Sequence, residues 1–375
     1  MVPVKKRSLL ALAAAAVFSF GFSGLTPVGL LGSTPALAFD QGRPTATPDL
    51  ADLAYDKLGD ASYGPRPNVA FNPSGAMGVN AKREKGETNE FFIEEQRHGA
   101  TYVQLGLVRA RPEWRQQGWN SIEWGLSQQS PDGSFPSTRY GVHSESMFIE
   151  AASRALLIEH EVGAPGPHDV AKAGIVAGAR WLASRDPRTD RELIVNADYT
   201  HRFFIMACAL GNAGELANDP QLKAAAESYA MRGIAKQRPD GVNPEKGGFD
   251  VGYQATGIVY QARYYAVTRN SALKQQLRAA IARGATWLAS RVGPDGTVDS
   301  AGSTRILSES GHDQRVKGVP YGLVIEALAL AAYVTQDQTL RAKADAVQRS
   351  QAFAVYYLPR SDPARALAKM PAKAH

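Results

Sequence analysis

The chain has 375 residues, enough for one large domain or two small ones, with a formal net charge of +6, seven histidines and one cysteine. Without Lys5, Lys6 and Arg7, which belong to the leader described below, the charge falls to +3, too weak a surplus to support a nucleic-acid partner. A lone Cys208 excludes an intramolecular disulfide and reads as a small buried hydrophobe; with no His-x-x-x-His pair and no cysteine cluster there is no good metal set, so no cofactor is expected.

In chain order, residues 1–38 read as a signal peptide. Lys5, Lys6 and Arg7 precede an apolar run over 9–22, and Ala36-Leu37-Ala38 is a small-x-small site predicting a mature start near Phe39. Gly21, Gly24, Pro27 and Gly32 interrupt the apolar stretch, so no stable membrane insertion is expected after cleavage and the product is periplasmic or secreted. Residues 39–90, rich in Pro, Gly, Asn and Asp, predict an extended N-terminal arm with a short helix at 49–57. Residues 361–375 predict a flexible tail.

Between these ends, over 91–360, the chain repeats. Trp-Leu-Ala-Ser-Arg occurs at 181–185 and 287–291, 106 residues apart, which is twice 53. At the midpoint Ile234 takes the place of the Trp, and Trp124 heads a further copy upstream. Three of the four segments run into Asp-Gly, at Asp132-Gly133, Asp240-Gly241 and Asp295-Gly296. A period near 53 ending in a turn marks a supersecondary unit that buries its apolar face only by stacking on its neighbours.

Two kinds of helix alternate within the repeats. Segments 146–160, 202–210, 255–267 and 321–334 are apolar on nearly every side, as covered helices are. Segments 171–184, 221–237, 272–290 and 340–354 carry Lys, Arg and Gln on one face and Ala, Leu, Ile and Trp on the other, as an outside wall does. With 91–109 and 113–128 they make about five hairpins, each an inner helix followed by an outer one. The predicted fold is all-α: an α/α toroid, an incomplete ring of hairpins, with an open right-handed solenoid as the structural rival.

Connection lengths point to the chemistry. Inner-to-outer turns are short, whereas the outer-to-inner connections 130–144, 186–200, 239–253 and 292–320 are long and all fall on one rim. Loops of such length in a compact domain tend to be functional. They hand over to inner helices through Arg139, Tyr140 and His143; through Asn196, Tyr199, His201 and Arg202; through Asp250, Tyr253 and Gln254; and through His312-Asp313-Gln314-Arg315-Val316-Lys317. Ordinary explanations exist for many of these: Asp-Gly as turns, Ser144 and Thr200 as helix N-caps, His143 and His201 as hydrogen-bonded rim residues. Several rims bearing Tyr with His or Gln, plus Asn and Arg, are better explained together by a shared site.

Such side chains suit β-elimination on a uronate. The reaction needs the carboxylate neutralised so that the C5 proton becomes acidic, a base to take it, and an acid to protonate the leaving O4. Asn, Gln or Arg can do the first, His or Tyr the second, and Tyr the third.

The stretch from Asn196 to Met206 resembles the Asn-x-His-Arg-aromatic segment at an inner-helix start of toroidal polysaccharide lyases, the alginate-lyase-like group. Asp240-Gly241-Val242-Asn243-Pro244-Glu245, followed by Gly248 and Tyr253, is similar to that group's Asp-Gly-x-x-Pro-Glu and downstream aromatic segment. The resemblance covers about 150 residues. It implies Asn196 as carboxylate neutraliser, His201 as base, Arg202 as a binder of acidic sugar, and Tyr199 or Tyr253 as acid, with Tyr140, His143, Asp250, Gln254 and Arg139 as further substrate-binding candidates. Two departures stand out: Ala197 to Thr200 separate Asn196 from His201, and Gln254 stands where a His is expected. The partner implied is an acidic polysaccharide or oligosaccharide. Two other classes stay open: a glycoside hydrolase using a carboxylate pair drawn from Glu145, Asp198 and Asp250, and a non-catalytic carbohydrate-binding toroid. A prenyltransferase-type toroid is disfavoured because no Asp-rich acid motif occurs.

Overall fold

Apolar character, all round or on one face, sorts the helices as the sequence predicts. The computed structural model describes residues 72, 74–77, 91–108, 110–161, 167–310 and 316–355; the leader, nearly all of the arm, the tail, and His312, Asp313, Gln314 and Arg315 lie outside them. After a single turn, α1 (Phe92–Glu95), come α2 (His98–Val108) with α3 (Pro112–Ser127) and α4 (Gly141–Glu161) with α5 (Ala171–Ser184). A short α6 (Arg191–Asn196) precedes α7 (Thr200–Ala217) with α8 (Pro220–Lys236), α9 (Val251–Val267) with α10 (Ser271–Ser290), and α11 (Tyr321–Thr335) with α12 (Gln338–Arg349). Among the described residues the only β features are isolated bridges, and no helix is long and apolar enough to cross a membrane.

Helices α2, α4, α7, α9 and α11 pack in sequence as an inner row, and each carries its outer partner on its far side. Burial follows the pattern. Helix α8 buries only Leu222, Ala226, Ala230 and Gly233, a single stripe at helical spacing, whereas α7 buries nearly everything from Phe203 to Gly214. The expected inner segment 202–210 extends to Ala217 because Gly211 does not end the helix: a Cβ there would meet the Tyr264 ring at 2.6 Å, so the glycine serves close packing.

The inner row curls rather than running straight. Tyr260 on α9 reaches Met147 on α4 at 3.5 Å, and Arg263 on α9 pairs with Glu150 on α4 at 3.4 Å, across the intervening α7. Arg263 also pairs with Glu326 on α11 at 3.0 Å, and Arg154 with Glu150 at 2.7 Å. Leu105 of α2 and Ile158 of α4 belong to the same buried cluster as Val324 and Leu328 of α11. Contacts that reach across an intervening helix bend the row into an arc, as an α/α toroid requires and a straight solenoid does not.

The repeat is physical. Ser127, Ser184 and Ser290 each donate to the carbonyl of the Trp three residues earlier, at 2.6, 2.7 and 2.6 Å. The turns that follow put Gly133, Gly241 and Gly296 at φ +95°, +91° and +79°, where only glycine is unstrained. In each turn the Asp accepts from the amide two residues on, and a Cβ on the glycine would collide with a carbonyl of the next outer helix, at Ala177, Arg283 or Ala346. Gln129 and Gln237 repeat a further lock, each donating to its turn glycine's carbonyl and to the next outer helix, at Gly174 and Ala280. The repeated Trp124, Trp181 and Trp287 are partly buried and pack against the edges of the core. The fully buried Trp119 stacks on His168 at 4.3 Å and donates to Glu159 at 2.7 Å.

Glu145 occupies the place in its repeat that Gln254 has two units on. Gln254 accepts from the Asn243 amide at 2.8 Å and donates to the carbonyls of Gly241 and Gly284 at 3.0 and 3.2 Å. Glu145, fully buried, faces the corresponding Phe135 segment; burial, with Asp132 nearby, pushes its carboxyl up to about 10, and the Phe135 amide offsets this only in part. A neutral carboxyl has one donor and one acceptor face and so mimics the amide. The folded-state value lies above the ordinary 4.5, so the stability that Glu145 contributes is complete below pH 4.5 and is lost as pH rises toward 10. Glu145→Gln is therefore expected to change thermal stability little at pH 4.5 and to raise it by roughly 2 to 4 kcal/mol at pH 8. Equal melting temperatures for variant and parent at pH 8 refute this assignment.

Candidate active site

The long connections are sewn to one another where they meet the inner helices. Tyr199 and Gly248 each bridge to Glu245, and Phe249 bridges to Ser303. The Thr200 hydroxyl donates to the Pro244 carbonyl at 2.7 Å, the Lys246 amide to Asp198 at 3.2 Å, and the Thr304 amide and hydroxyl to Phe249 and Glu245 at 2.8 and 3.2 Å. Thr200 is thus a cross-loop tie, and Ser144 lies inside α4 donating to Arg139 at 2.9 Å; neither is the N-cap expected of it.

Asp250 is the central pin. One oxygen caps α9 by accepting from the Tyr253 amide at 3.1 Å, and the other accepts from the Arg305 and Ile306 amides at 2.9 and 3.0 Å. Gln254, buried, turns all its polar atoms to backbone as described. Both were assigned to substrate in the sequence; the structure directs them inward, because fixing a long loop requires buried acceptors and donors for its amides and carbonyls.

Held by these ties, a polar cluster assembles at the starts of α7 and α9. His201 and Tyr253 have ring centroids 4.5 Å apart, and Tyr199 lies at 6.3 Å from His201, edge on. His201 Nδ1 meets Glu245 Oε2 at 3.0 Å, and the other Glu245 oxygen accepts from Arg305 at 2.8 Å. The Arg305 guanidinium lies over the Tyr253 ring at 4.0 Å, and Lys317 donates to the Tyr253 hydroxyl at 3.2 Å. Glu309 ties the cations together, meeting Arg305 at 2.7 Å, Lys317 at 3.0 Å and also Lys246. On the other side Arg202 lies over the Tyr199 ring at 4.2 Å and donates to the buried Asn196 side chain.

Charge is distributed asymmetrically. Burial lowers the basicity of His201; Glu245 opposes this, and Arg202 and Arg305 add to it. Burial alone would raise the Glu245 carboxyl, yet His201 and Arg305 hold it below the ordinary carboxylate range. Burial, the largest single influence on Glu309, raises it, but Lys246, Arg305 and Lys317 together bring it down to about 2. An ionised Glu245 can only accept, so it fixes the proton on His201 Nδ1 and leaves Nε2 the basic nitrogen.

Arg139, Tyr140 and His143 form a second group at the start of α4. Arg139 lies over the ring of Tyr140 at 5.0 Å, Tyr140 is exposed in a left-handed conformation with φ 53°, and the amides of Val142 and His143 are capped by Glu192 at 3.0 and 2.7 Å. In the sequence reading Glu245 and Lys317 figured only inside longer segments, without a role of their own, and Arg305 and Glu309 were not singled out. Arg305 and Glu309, four residues apart inside the longest rim loop, were the available signal.

No family and no curated protein matches this chain. Among solved structures it is similar to chondroitin AC lyase of Streptomyces coelicolor A3, as a tyrosine-to-alanine mutant (TM-score 0.51, 12% identity) and in complex with chondroitin sulphate (TM-score 0.50, 13% identity). Each match covers 89% of this chain and 47% of the lyase, so the chain spans about half the length of these structures. At such identity the likeness concerns the fold, a helical toroid.

Because Asp250 holds an N-cap and two loop amides, Asp250→Ala is expected to cost about 2 to 4 kcal/mol. Denaturant unfolding reads this directly; a variant as stable as the parent means that the pin does not hold the loop.

Proposed function

We propose that the protein is a polysaccharide lyase that cleaves a uronate-containing polysaccharide by β-elimination, acting outside the cytoplasm after loss of the leader. The observation that carries this reading is the His201–Glu245–Arg305 relay with Tyr253 packed between His201 and Arg305. The toroidal likeness to a chondroitin AC lyase, solved also in complex with chondroitin sulphate, supports it at the level of fold.

In this reading His201 Nε2 takes the C5 proton of a uronate while Asn196, positioned by Arg202, neutralises the adjacent carboxylate. Electrons from the C5–H bond form the C4–C5 double bond as the C4–O4 bond breaks. The departing O4 takes the Tyr253 hydroxyl proton, and Arg305 and Lys317 stabilise the resulting phenolate. Tyr253 is preferred to Tyr199 as the acid because it lies nearer His201 and carries both cations. The carboxylate-pair alternative loses support: Asp250 accepts only backbone amides, Glu145 is fully buried, and Asp198 is exposed on the loop.

The test is incubation of the mature protein with a panel of acidic polysaccharides, read as absorbance of the unsaturated uronate. On a confirmed substrate, His201→Ala and Tyr253→Phe are each expected to lower kcat about 10²- to 10⁴-fold with little change in melting temperature. Full activity in His201→Ala removes the base assignment, and reducing-end release without the absorbance favours hydrolysis. Since burial lowers His201 from 6.5 and the base must be neutral, kcat/KM is expected to hold as pH falls to 6.5 and to decline only below it. A decline already complete at pH 6.5 contradicts this.

A further inference from the structure

Successive residues on a helix point about 100° apart, so Arg202 turns partly away from His201. It lines a separate pocket beside the cluster, with Asn196 from α6, Phe203 from α7, Ser146 from α4, and Tyr229 and Arg232 from α8. Arg202 and Arg232 are the only charged residues lining it among those described. The carboxylates whose charge reaches Arg202 are engaged elsewhere: Glu245 pairs with His201 and Arg305, and Glu192 accepts the Val142 and His143 amides; Asp190 pairs with Arg185 while capping α6.

Neither arginine is neutralised in place. Arg202 donates through one terminal nitrogen to Asn196, but its Nε is buried with no hydrogen-bond partner among the described residues. Burial, with Arg305 close by, weakens its hold on the proton. Arg232 lies over the rings of Phe203 and Tyr229 at 5.0 and 5.2 Å, which orients its planar fork without supplying an acceptor carboxylate. A buried donor lacking an acceptor is costly unless a ligand provides one.

We propose that this pocket is an anion subsite that takes a sulfate ester on the sugar chain. Guanidinium groups on two helices, Arg202 and Arg232, converge on it, and two forks suit an anion with three terminal oxygens spread tetrahedrally better than a planar carboxylate, which one guanidinium fork satisfies. The substrate would then be a sulfated uronan, with the sulfate held on the opposite side of Arg202 from the reacting unit. This placement rests on the lyase reading; binding of the anion does not.

The probe is inorganic sulfate, titrated calorimetrically into the mature protein at low-millimolar concentration in a chloride background of constant ionic strength. Saturable binding is expected, weakened about tenfold or more in both Arg232→Gln and Arg202→Gln. Arg232 is exposed, so its variant should fold normally. No saturable binding by the parent, or unchanged affinity in a folded Arg232→Gln, overturns the subsite. In a second arm, a sulfated uronan oligosaccharide should displace the probe and its unsulfated counterpart should not. Displacement by neither overturns the subsite's place on the substrate. Sulfate binding and displacement without unsaturated product leave the subsite standing and count against the lyase reading instead.

Discussion

The ring depends on charges placed where an apolar core would otherwise close. Arg263 lies inside the inner row between Glu150 and Glu326, and Arg154 holds Glu150 from one turn along. Ions so deeply buried contribute little net stability, since desolvation offsets their attraction, but a wrong register would leave one uncompensated at a cost of about 3 to 5 kcal/mol. Their value is specification: three helices separated by long stretches of chain have one arrangement in which every charge is paired. The curvature that brings the rim loops together follows from it.

On that ring the loops are positioned by a small set of buried acceptors and donors. Asp250, Gln254, Gln129 and Gln237 all terminate on backbone groups of another segment, and each replaces water that a long loop would otherwise need. The polar cluster and its support are thereby divided among neighbouring residues. Asp250 fixes the loop that delivers Arg305, and Tyr253, three residues on, receives that guanidinium on its ring.

The architecture was legible because it is periodic. Helices apolar all round and helices apolar on one stripe differ in the sequence itself, and the Asp-Gly turns mark the unit. His201, Tyr253, Asn196, Arg202 and Tyr199 stood out because chemistry-bearing types were concentrated at helix starts. Arg305 did not, and Glu245 did so only as the end of a motif, since what joins them is a pairing 60 residues apart across two loops that no local pattern encodes. Asp250 and Gln254 were assigned outward for the same reason: a polar residue beside a site looks alike whether it faces a ligand or a neighbouring amide. The short α6 was read as loop because a single capped turn is too brief to show periodicity.

The cross-loop ties have an entropic consequence. Segments near Asn196, Glu245 and Arg305 are tied to one another by the bonds of Thr200, Thr304 and Asp250, which leaves them less freedom to lose. An enzyme closing mobile lids over its ligand draws on binding energy to order them, which weakens association. Here that ordering is completed when the chain folds, so a ligand meeting this rim would have little of it left to order.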